Sequence, residues 1–263
     1  MRVLDLFSGI GGFSLGLERA GMKTVAFCEI EEFPRKVLKK HWPEVPIYED
    51  VRTLTAARLA SDGISVDVIC GGFPCQDISN AGNKAGITGE RSGLWKEYAR
   101  LIGEIRPQFA IMENVSALLY RGLGDVLGDL AEVGYDAEWH CISASYVGAP
   151  HRRDRIWIVA YPMQRSGSAE SWEQQGERAE VVDSGRSGNV ADSHGAQREG
   201  GWLSRRIYQE HRNSIRSSWW EVEPALGRVA NGVPNQSHRL KAIGNAVVPQ
   251  IPELIGKAIM EAA

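Results

Sequence analysis

The first 160 residues alternate short apolar runs with amphipathic stretches, and this alternation limits the possible folds more than any other feature. Short apolar strands separated by amphipathic helices are typical of a mainly parallel sheet that is covered on both faces. The predicted strands are residues 3–7, 24–28, 46–48, 66–70, 109–112 and 155–161. We therefore expect an α/β fold with helices on both faces of its sheet.

Helices are expected between these strands and at the end of the chain. One begins near Phe13 and ends at Gly21, and the next has Pro34 in its first turn, where a missing N–H costs little. Further helices are predicted over residues 94–105, 124–133 and 249–262.

The composition changes near residue 161 and divides the chain into three parts. Residues 161–220 contain eight arginines, no lysine and four of the eight tryptophans. Tryptophan is useful at contact surfaces, so we interpret residues 161–222 as a small, irregular, partly mobile second domain. Residues 1–160 form the main domain, and residues 223–263 return to it and end in a helix.

Several classes of protein are excluded by simple counts. There is no run of 18 apolar residues, so no membrane helix is expected. An acidic residue, Asp5, follows only two apolar residues at the N-terminus, so no signal peptide is expected there. Four cysteines without a CxxC pair indicate a reduced, cytoplasmic protein. The net charge of −3 still permits a nucleic-acid partner, because a basic cleft can lie on a neutral protein.

A glycine-rich turn joins the first strand to the first helix, with Gly9, Gly11 and Gly12 after Phe7. Such a turn lets a ligand approach the backbone at a helix N-terminus. Glu29 follows the second strand, where a carboxylate can accept hydrogen bonds from ribose hydroxyls. The turn lacks the full dinucleotide fingerprint, so it suits a phosphate-free nucleoside or is a tight turn without a ligand.

Asp50 follows the third predicted strand. Its carboxylate can accept a hydrogen bond from an adenine amine, cap the helix that follows Arg52, or do both.

Cys75 lies in a glycine- and proline-containing loop after the fourth strand. This is the edge where open α/β sheets place their chemistry, and a thiolate there could attack an electrophilic carbon. Cys28, Cys70 and Cys141 are in or beside apolar strands and are interpreted as small buried residues. A zinc site of Cys70, Cys75 and a distant histidine lacks the usual ligand spacing.

Glu113 ends the fifth strand, where partial burial would raise its pKa and make it an acid near neutrality. A helix cap or a structural hydrogen bond is the alternative. Arg153 and Arg155 are two residues apart, and strand alternation predicts that both point to one side. They could hold an anion, a base carbonyl or the carboxylate, or form only a solvated basic turn.

These pieces, taken in order, resemble the DNA (cytosine-5)-methyltransferase family in its short bacterial or phage form. The resemblance is carried by Asp5-Leu6-Phe7-Ser8-Gly9-Ile10-Gly11-Gly12, Glu29, Asp50, Gly71-Gly72-Phe73-Pro74-Cys75-Gln76, Glu113-Asn114-Val115, Arg153-Asp154-Arg155 and Ala242-Ile243-Gly244-Asn245-Ala246-Val247-Val248-Pro249. It covers residues 1–160 and about 225–263.

The resemblance implies a Rossmann-like, S-adenosylmethionine-dependent methyltransferase sheet with one reversed strand near its end. Residues 161–222 would be the target recognition domain, and the Gly244-Asn245 segment would start the C-terminal helix. No metal is implied. The implied cofactor contacts are Phe7, Gly9, Gly11, Gly12, Glu29, Ile30, Asp50, Val51, Pro74, Leu94, Asn245 and Val247.

The resemblance also implies the chemistry. Cys75 would add to carbon-6 of a flipped-out cytosine while Glu113 donates a hydrogen bond or proton at ring nitrogen-3. This addition would make carbon-5 nucleophilic. Arg155 would position the base carbonyl, and Arg153 would support the site. The implied partner is double-stranded DNA, bound by a monomer in the cytoplasm or nucleoid, away from membranes. A restriction endonuclease for the same DNA site would need no physical contact.

Three rivals remain on sequence grounds. A tRNA cytosine-5 methyltransferase would share the fold, but a second proline usually replaces Phe73 in that group. A catalytically weak DNA-binding relative would more readily lack Cys75 or Glu113, and both are present. A cysteine hydrolase would need a partnered histidine near Cys75, for which no local signature exists.

Overall fold

The computed structural model of the protein describes residues 1–74, 93–163 and 236–262. Its strands are β1 (Arg2–Leu6), β2 (Lys23–Cys28), β3 (Ile47–Tyr48), β4 (Val68–Gly72), β5 (Phe109–Val115), β6 (Tyr135–Ser143) and β7 (Asp154–Pro162). Across the described segments they form a seven-stranded sheet in the order β3-β2-β1-β4-β5-β7-β6. The α/β prediction is confirmed.

Helices follow most of the strands. They are α1 (Gly12–Arg19), α2 (Glu32–His41), α3 (Ala56–Ser61), α4 (Gly93–Ile105), α5 (Leu118–Arg121), α6 (Leu123–Glu132), α7 (Gln236–Asn245) and α8 (Gln250–Ala262), with a 3-10 turn at Ala144–Val147. The predicted helices agree with α1, α2, α4, α6 and α8 to within a few residues at each end.

The sheet is parallel from β3 to β5, and β7 runs antiparallel to both of its neighbours, β5 and β6. The expected single reversed strand is thus present. Strand β6 is not among the predicted strands, because only Tyr135 and Ile142 of its nine residues are buried and its exposure does not alternate regularly.

Successive residues of the inner strands point to opposite faces and build two cores. In β1, Leu4 and Leu6 pack with the core under α3, α4 and α6, while Val3 faces the core under α1 and α8. In β7, Ile158 belongs to the first core and Trp157 to the second. Both faces of the sheet are therefore covered, which explains why these strands are almost continuously apolar.

Glycines allow α8 to pack closely on α1. A Cβ atom on Gly16 would be 2.2 Å from the Pro249 carbonyl oxygen, and one on Gly256 would be 2.8 Å from the Ala20 Cβ. Neither contact is possible for a larger residue without movement of the helix backbone. The end of the chain is thereby held beside the glycine turn that precedes α1.

Three expectations need correction or lie outside the described residues. Gly244 and Asn245 end α7, and the C-terminal helix begins only at Gln250, because Pro249 separates the two helices. Cys141 is exposed, since β6 is an edge strand. The predicted domain at 161–222 lies almost wholly outside the described residues. Within the described ranges, no helix is both long and apolar enough to span a bilayer.

Candidate active site

A cavity of about 860 Å³ opens at the carboxyl ends of the parallel strands, where ligand sites of open α/β sheets are found. Its volume lies within the range of about 300–1,000 Å³ that is usual for small-molecule sites. Most of the predicted site residues line it, namely Phe7, Gly9, Gly12, Glu29, Ile30, Asp50, Val51, Pro74, Leu94, Glu113, Arg153, Arg155, Asn245 and Val247.

The glycine turn after β1 is held by Glu29. The Gly9 N–H donates to Glu29 Oε2 at 2.7 Å, and the Glu31 N–H donates to Glu29 Oε1 at 2.8 Å. Gly9 has φ +53°, and nothing lies within 4 Å of the position its Cβ would take. The turn therefore presents open space to a ligand, beside a buried carboxylate whose orientation is set by two backbone donors.

Gly11 does not line the cavity. It precedes α1 with φ +86°, and a Cβ there would be 2.6 Å from the Trp42 ring. The ring of Trp42 is fixed in turn by its Nε1–H, which donates to Glu18. Gly11 thus allows the close packing of Trp42 against the turn, and its contact with a cofactor stays a prediction.

Asp50 lies at the mouth of the cavity in an ion pair with Arg52, at 2.6 Å. The hydrogen bonds from Arg52 hold the pKa of the Asp50 carboxyl below its usual range. Asp50 does not cap the helix that follows, because Thr55 accepts from the Arg58 N–H at the start of α3. The neighbouring Val51 carbonyl accepts from Arg100, which ties this loop to α4.

Glu113 is the buried carboxyl of the cavity. Its side chain is 12% exposed, and its Oε1 is 3.0 Å from Arg155 Nε. Arg155 lies on β7 opposite Val115, a diagonal neighbour of Glu113 across the antiparallel pair. Burial raises the pKa of the Glu113 carboxyl above its ordinary value, and the charges of Arg155 and Arg153 oppose that rise.

Arg153 reaches the same cavity by a different route from the one predicted. It precedes β7 and has φ +39°, a left-handed conformation that is uncommon for residues other than glycine. Strand alternation therefore does not orient it. Its Nη1 donates to the Gly244 carbonyl oxygen at 2.7 Å. Burial, together with the nearby Arg155, lowers the pKa of the Arg153 guanidinium.

Asn114 has a structural role beside the cavity that its sequence pattern does not predict. It is buried, its Nδ2 donates to the Phe73 carbonyl at 3.1 Å, and its Oδ1 accepts from the Val115 N–H. The ring of Phe73 packs on Trp95 at 5.0 Å between centroids. Asn114 thus anchors the backbone that leads to Pro74, and Cys75 follows as the first residue outside the described range.

The other cysteines differ from one another. Cys28 and Cys70 are buried, as predicted, and burial raises the pKa of the Cys28 thiol to about 12 and that of Cys70 well above its ordinary value. Neither can supply a thiolate near neutrality. Among residues 1–74, 93–163 and 236–262, no cluster of histidine, cysteine and carboxylate side chains could hold a metal.

The charges around the cavity fit a phosphate-free, cationic nucleoside. Six carboxylates and four cations line it, and every one of these cations has a partner among the described residues. Arg52 pairs with Asp50, Arg155 with Glu113, Lys241 with Glu31, and Arg153 with a carbonyl. Among the described residues, each cation of the lining is already engaged, while the glycine turn and Glu29 stay available to a nucleoside.

Comparison of the sequence with known proteins gives one consistent result. The model of a family described as C-5 cytosine-specific DNA methylase matches residues 1–227. The Type II methyltransferase M2.BsuMI of Bacillus subtilis (strain 168) is 38% identical over 168 residues, which are 61% of this chain and 42% of that protein. M.Eco47II of Escherichia coli is 39% identical over 164 residues, or 60% and 39% of the two chains. The match thus spans less than half the length of these relatives.

Solved structures show the same fold. One, a proposed DNA modification methyltransferase encoded within a prophage (E. coli), has a TM-score of 0.64 at 19% identity and covers 99% of both chains. A mutant of DNMT2 from Spodoptera frugiperda has a TM-score of 0.52 at 22% identity, over 63% of this chain and 51% of that one. At these identities the likeness supports the fold alone.

Proposed function

The chain belongs to the C-5 cytosine-specific DNA methylase family, and from this premise we propose that it methylates carbon-5 of cytosine in duplex DNA, with S-adenosylmethionine as the methyl donor. One observation carries the proposal: the desolvated Glu113 carboxyl lies 3.0 Å from Arg155 Nε in the cavity that also contains the Gly9–Glu29 turn. Pyrimidine methylation needs both an acid that protonates near neutrality and a nucleoside cradle.

The cofactor would occupy the side of the cavity formed by the glycine turn. Glu29 has lone pairs left on both oxygens for ribose hydroxyls, and Asp50 offers an acceptor for an adenine amine. Phe7, Ile30, Leu94 and Val247 supply apolar surface around these polar groups. When bound, S-adenosylmethionine supplies an electrophilic methyl group on a sulfonium.

Cys75 is the proposed nucleophile. Its thiolate adds to carbon-6 of the cytosine, and the electron pair displaced from the 5,6 double bond makes carbon-5 nucleophilic. Later loss of the carbon-5 proton restores the double bond and expels the thiolate. Cys75 lies outside the described residues, so this role rests on the family and on the backbone that Asn114 and Phe73 hold just before it.

Glu113 is the proposed acid. A protonated carboxyl can donate to ring nitrogen-3 while the thiolate adds, and burial raises the pKa of Glu113 in the direction that favours this protonated form. Arg155 is proposed to orient both this carboxyl and the base carbonyl. Arg153 is proposed to support the site from the Gly244 side.

Duplex DNA is the proposed substrate, and the target cytosine must leave the helix to reach the cavity. Flipping a base costs a few kcal/mol of stacking and pairing. Residues 161–222 are proposed as the target recognition domain, which would read bases through arginine and polar side chains. We further propose a cytoplasmic protein that acts as a monomer on DNA; a restriction endonuclease for the same site would need no contact with it.

Two rivals remain alternatives. A tRNA cytosine-5 methyltransferase would use the same cavity, and tight, salt-dependent binding to duplex DNA over tRNA would argue against it. A catalytically weak DNA-binding relative would not need a buried carboxyl paired with an arginine, so the Glu113–Arg155 pair favours the enzyme.

The test is trapping of the covalent intermediate. Fluorine at carbon-5 cannot leave as the proton does, so duplex DNA with 5-fluorocytosine, incubated with labelled S-adenosylmethionine, should give an adduct that survives denaturation. Cys75→Ser should give none. Cys141→Ser is the matched control, because that thiol is exposed on an edge strand away from the cavity, and it should form the adduct normally. An adduct in Cys75→Ser would overturn the proposal.

The recognised DNA sequence is a separate measurement. Expression of the protein in cells with a plasmid, followed by bisulfite sequencing, should reveal one methylated cytosine within a short repeated site. Random methylation, or none, would contradict the proposed sequence-specific reader.

A further inference from the structure

Helix α7 lies along the rim of the cavity and contributes Lys241, Ala242, Gly244 and Asn245 to its lining. Two of its side chains contact the turn after β2 and the first turn of α2. Lys241 Nζ is 2.6 Å from Glu31 Oε1, and the His238 ring stacks on Phe33 with centroids 5.9 Å apart. The helix therefore bridges two parts of the rim that are some 200 residues apart in sequence.

The turn that Lys241 contacts is the one that orients Glu29. The Glu31 side chain binds Lys241, while the Glu31 backbone N–H donates to Glu29 Oε1 at 2.8 Å. A shift of Glu31 would therefore move a donor of the carboxylate proposed to hold the ribose. The other end of α7 is fixed as well, since the Gly244 carbonyl accepts from Arg153 at 2.7 Å.

Within the described part of the chain, the contacts of α7 are mainly polar. Over residues 237–245 only Ala242 is buried, whereas Leu240 and Ile243 are 64% and 66% exposed. Lys241 and Glu31 are themselves 58% and 46% exposed. Exposed ion pairs contribute little free energy and are screened by salt, so such a helix can release its contact with the rim easily.

We infer that α7 is a strap over the cofactor cavity and that Lys241 and Glu31 are positioning residues, which hold the strap closed on the bound cofactor and slow its release. The inference rests on the proposed function only in the class of ligand, an adenosyl cofactor. It assigns these two residues no part in proton transfer or in attack on the base.

The test is binding of S-adenosylhomocysteine, measured by calorimetry and by stopped-flow release, with no turnover required. Lys241→Glu and Glu31→Lys should each weaken binding about two- to fivefold, mainly through faster release. The double variant restores the opposite charges with their positions exchanged, and it should recover most of the affinity. Lys241→Gln should bind more weakly than the wild-type protein at low salt and equally at high salt, because screening weakens the wild-type ion pair, which the variant lacks at every salt concentration.

Lys257→Glu is the matched control. It breaks a 2.8 Å pair with Glu253 within α8, and Lys257 does not line the cavity, so affinity should be unchanged. In turnover assays Lys241→Gln should raise KM for the cofactor and leave kcat unchanged, whereas a general loss of structure would lower kcat as well.

Two failures are distinguishable. If the wild-type protein binds no adenosyl ligand, the proposed cofactor is wrong and the strap is wrong with it. If the wild-type protein binds but Lys241→Glu behaves like Lys257→Glu, or the double variant is no better than the single ones, only the strap is overturned.

Discussion

The carboxyls of Asp5 and Glu113 lie on two strands of the same sheet that β4 separates, and both have a raised pKa because they are desolvated. Asp5, on β1, is fully buried between the sheet and α1, where Ser14 Oγ donates to its Oδ2 at 2.7 Å. Glu113, at the end of β5, opens into the cavity and is held by Arg155.

The difference indicates what the proposed catalytic acid needs besides burial. Asp5 has no path to a substrate, and its Oδ1 accepts no hydrogen bond from the described residues, so the neutral carboxyl is part of the core. The Glu113 carboxyl is also desolvated, but it opens into the cavity and has the cations of Arg155 and Arg153 beside it. The predicted consequences are separate: changes at Glu113 should affect turnover, and changes at Asp5 should affect stability.

The largest expected effect is that of Glu113→Gln on turnover. The amide keeps the shape and hydrogen bonds of the side chain but cannot release a proton, so kcat should fall about 10²- to 10⁴-fold. DNA binding in a filter assay and the unfolding midpoint in urea should be nearly unchanged. A kcat within a few-fold of the wild-type value would remove Glu113 from proton transfer.

Arg155→Gln should have the next largest effect. Loss of a charged hydrogen bond of about 1.5–3 kcal/mol should reduce kcat/KM roughly 10- to 100-fold. The arginine charge opposes the raised pKa of Glu113, so its removal raises that pKa further. The protonated acid then persists to higher pH, and the alkaline limb of the pH–rate profile should move upward; a downward shift would contradict the assigned contact.

Asp5→Asn should change how stability depends on pH. Burial raises the pKa of Asp5 from 3.8 to about 8, so the folded protein keeps a proton that the unfolded chain releases between these values. This contribution to the free energy of unfolding is fully present below pH 3.8 and is lost as pH rises through about 8, by up to about 1.4 kcal/mol per pH unit.

Urea unfolding of the wild-type protein and of Asp5→Asn between pH 5 and 8 measures that slope. In Asp5→Asn, the free energy of unfolding should lack the part of this pH dependence that is due to Asp5. The control is Asp67→Asn, because the hydrogen bond from Arg2 holds the pKa of Asp67 below its ordinary value, and that carboxylate is ionised throughout this range. Equal slopes for all three proteins would mean that Asp5 is not a neutral core residue.

The smallest expected effect is that of Ser14→Ala, which removes a buried hydroxyl donor to Asp5. It should cost about 1 kcal/mol of stability and leave kcat unchanged, because Ser14 does not line the cavity. Ser61→Ala removes a comparable but exposed hydroxyl bond and should cost less. A loss of turnover in Ser14→Ala would contradict the prediction that the Asp5 region affects stability and not catalysis.

The comparison also shows where sequence reasoning works and where it fails. Glu113 and Glu29 were predicted from their position just after apolar strands, which is a local pattern. The packing of Trp42 against Gly11 could not be predicted, because it joins two segments about 30 residues apart in sequence. The edge strand β6 escaped prediction because its exposure lacks a clear period.

The order of most strands and of the longer helices, the glycine turn and the polar residues after the strands follow from the sequence alone, because hydrophobic period and turn chemistry act over a few residues. The insertion of β7 between β5 and β6, the pairing of Arg155 with Glu113 and the contact of Lys241 with Glu31 are decided only in the folded protein. Each of these contacts depends on which distant segments pack together, and local sequence patterns do not determine long-range packing.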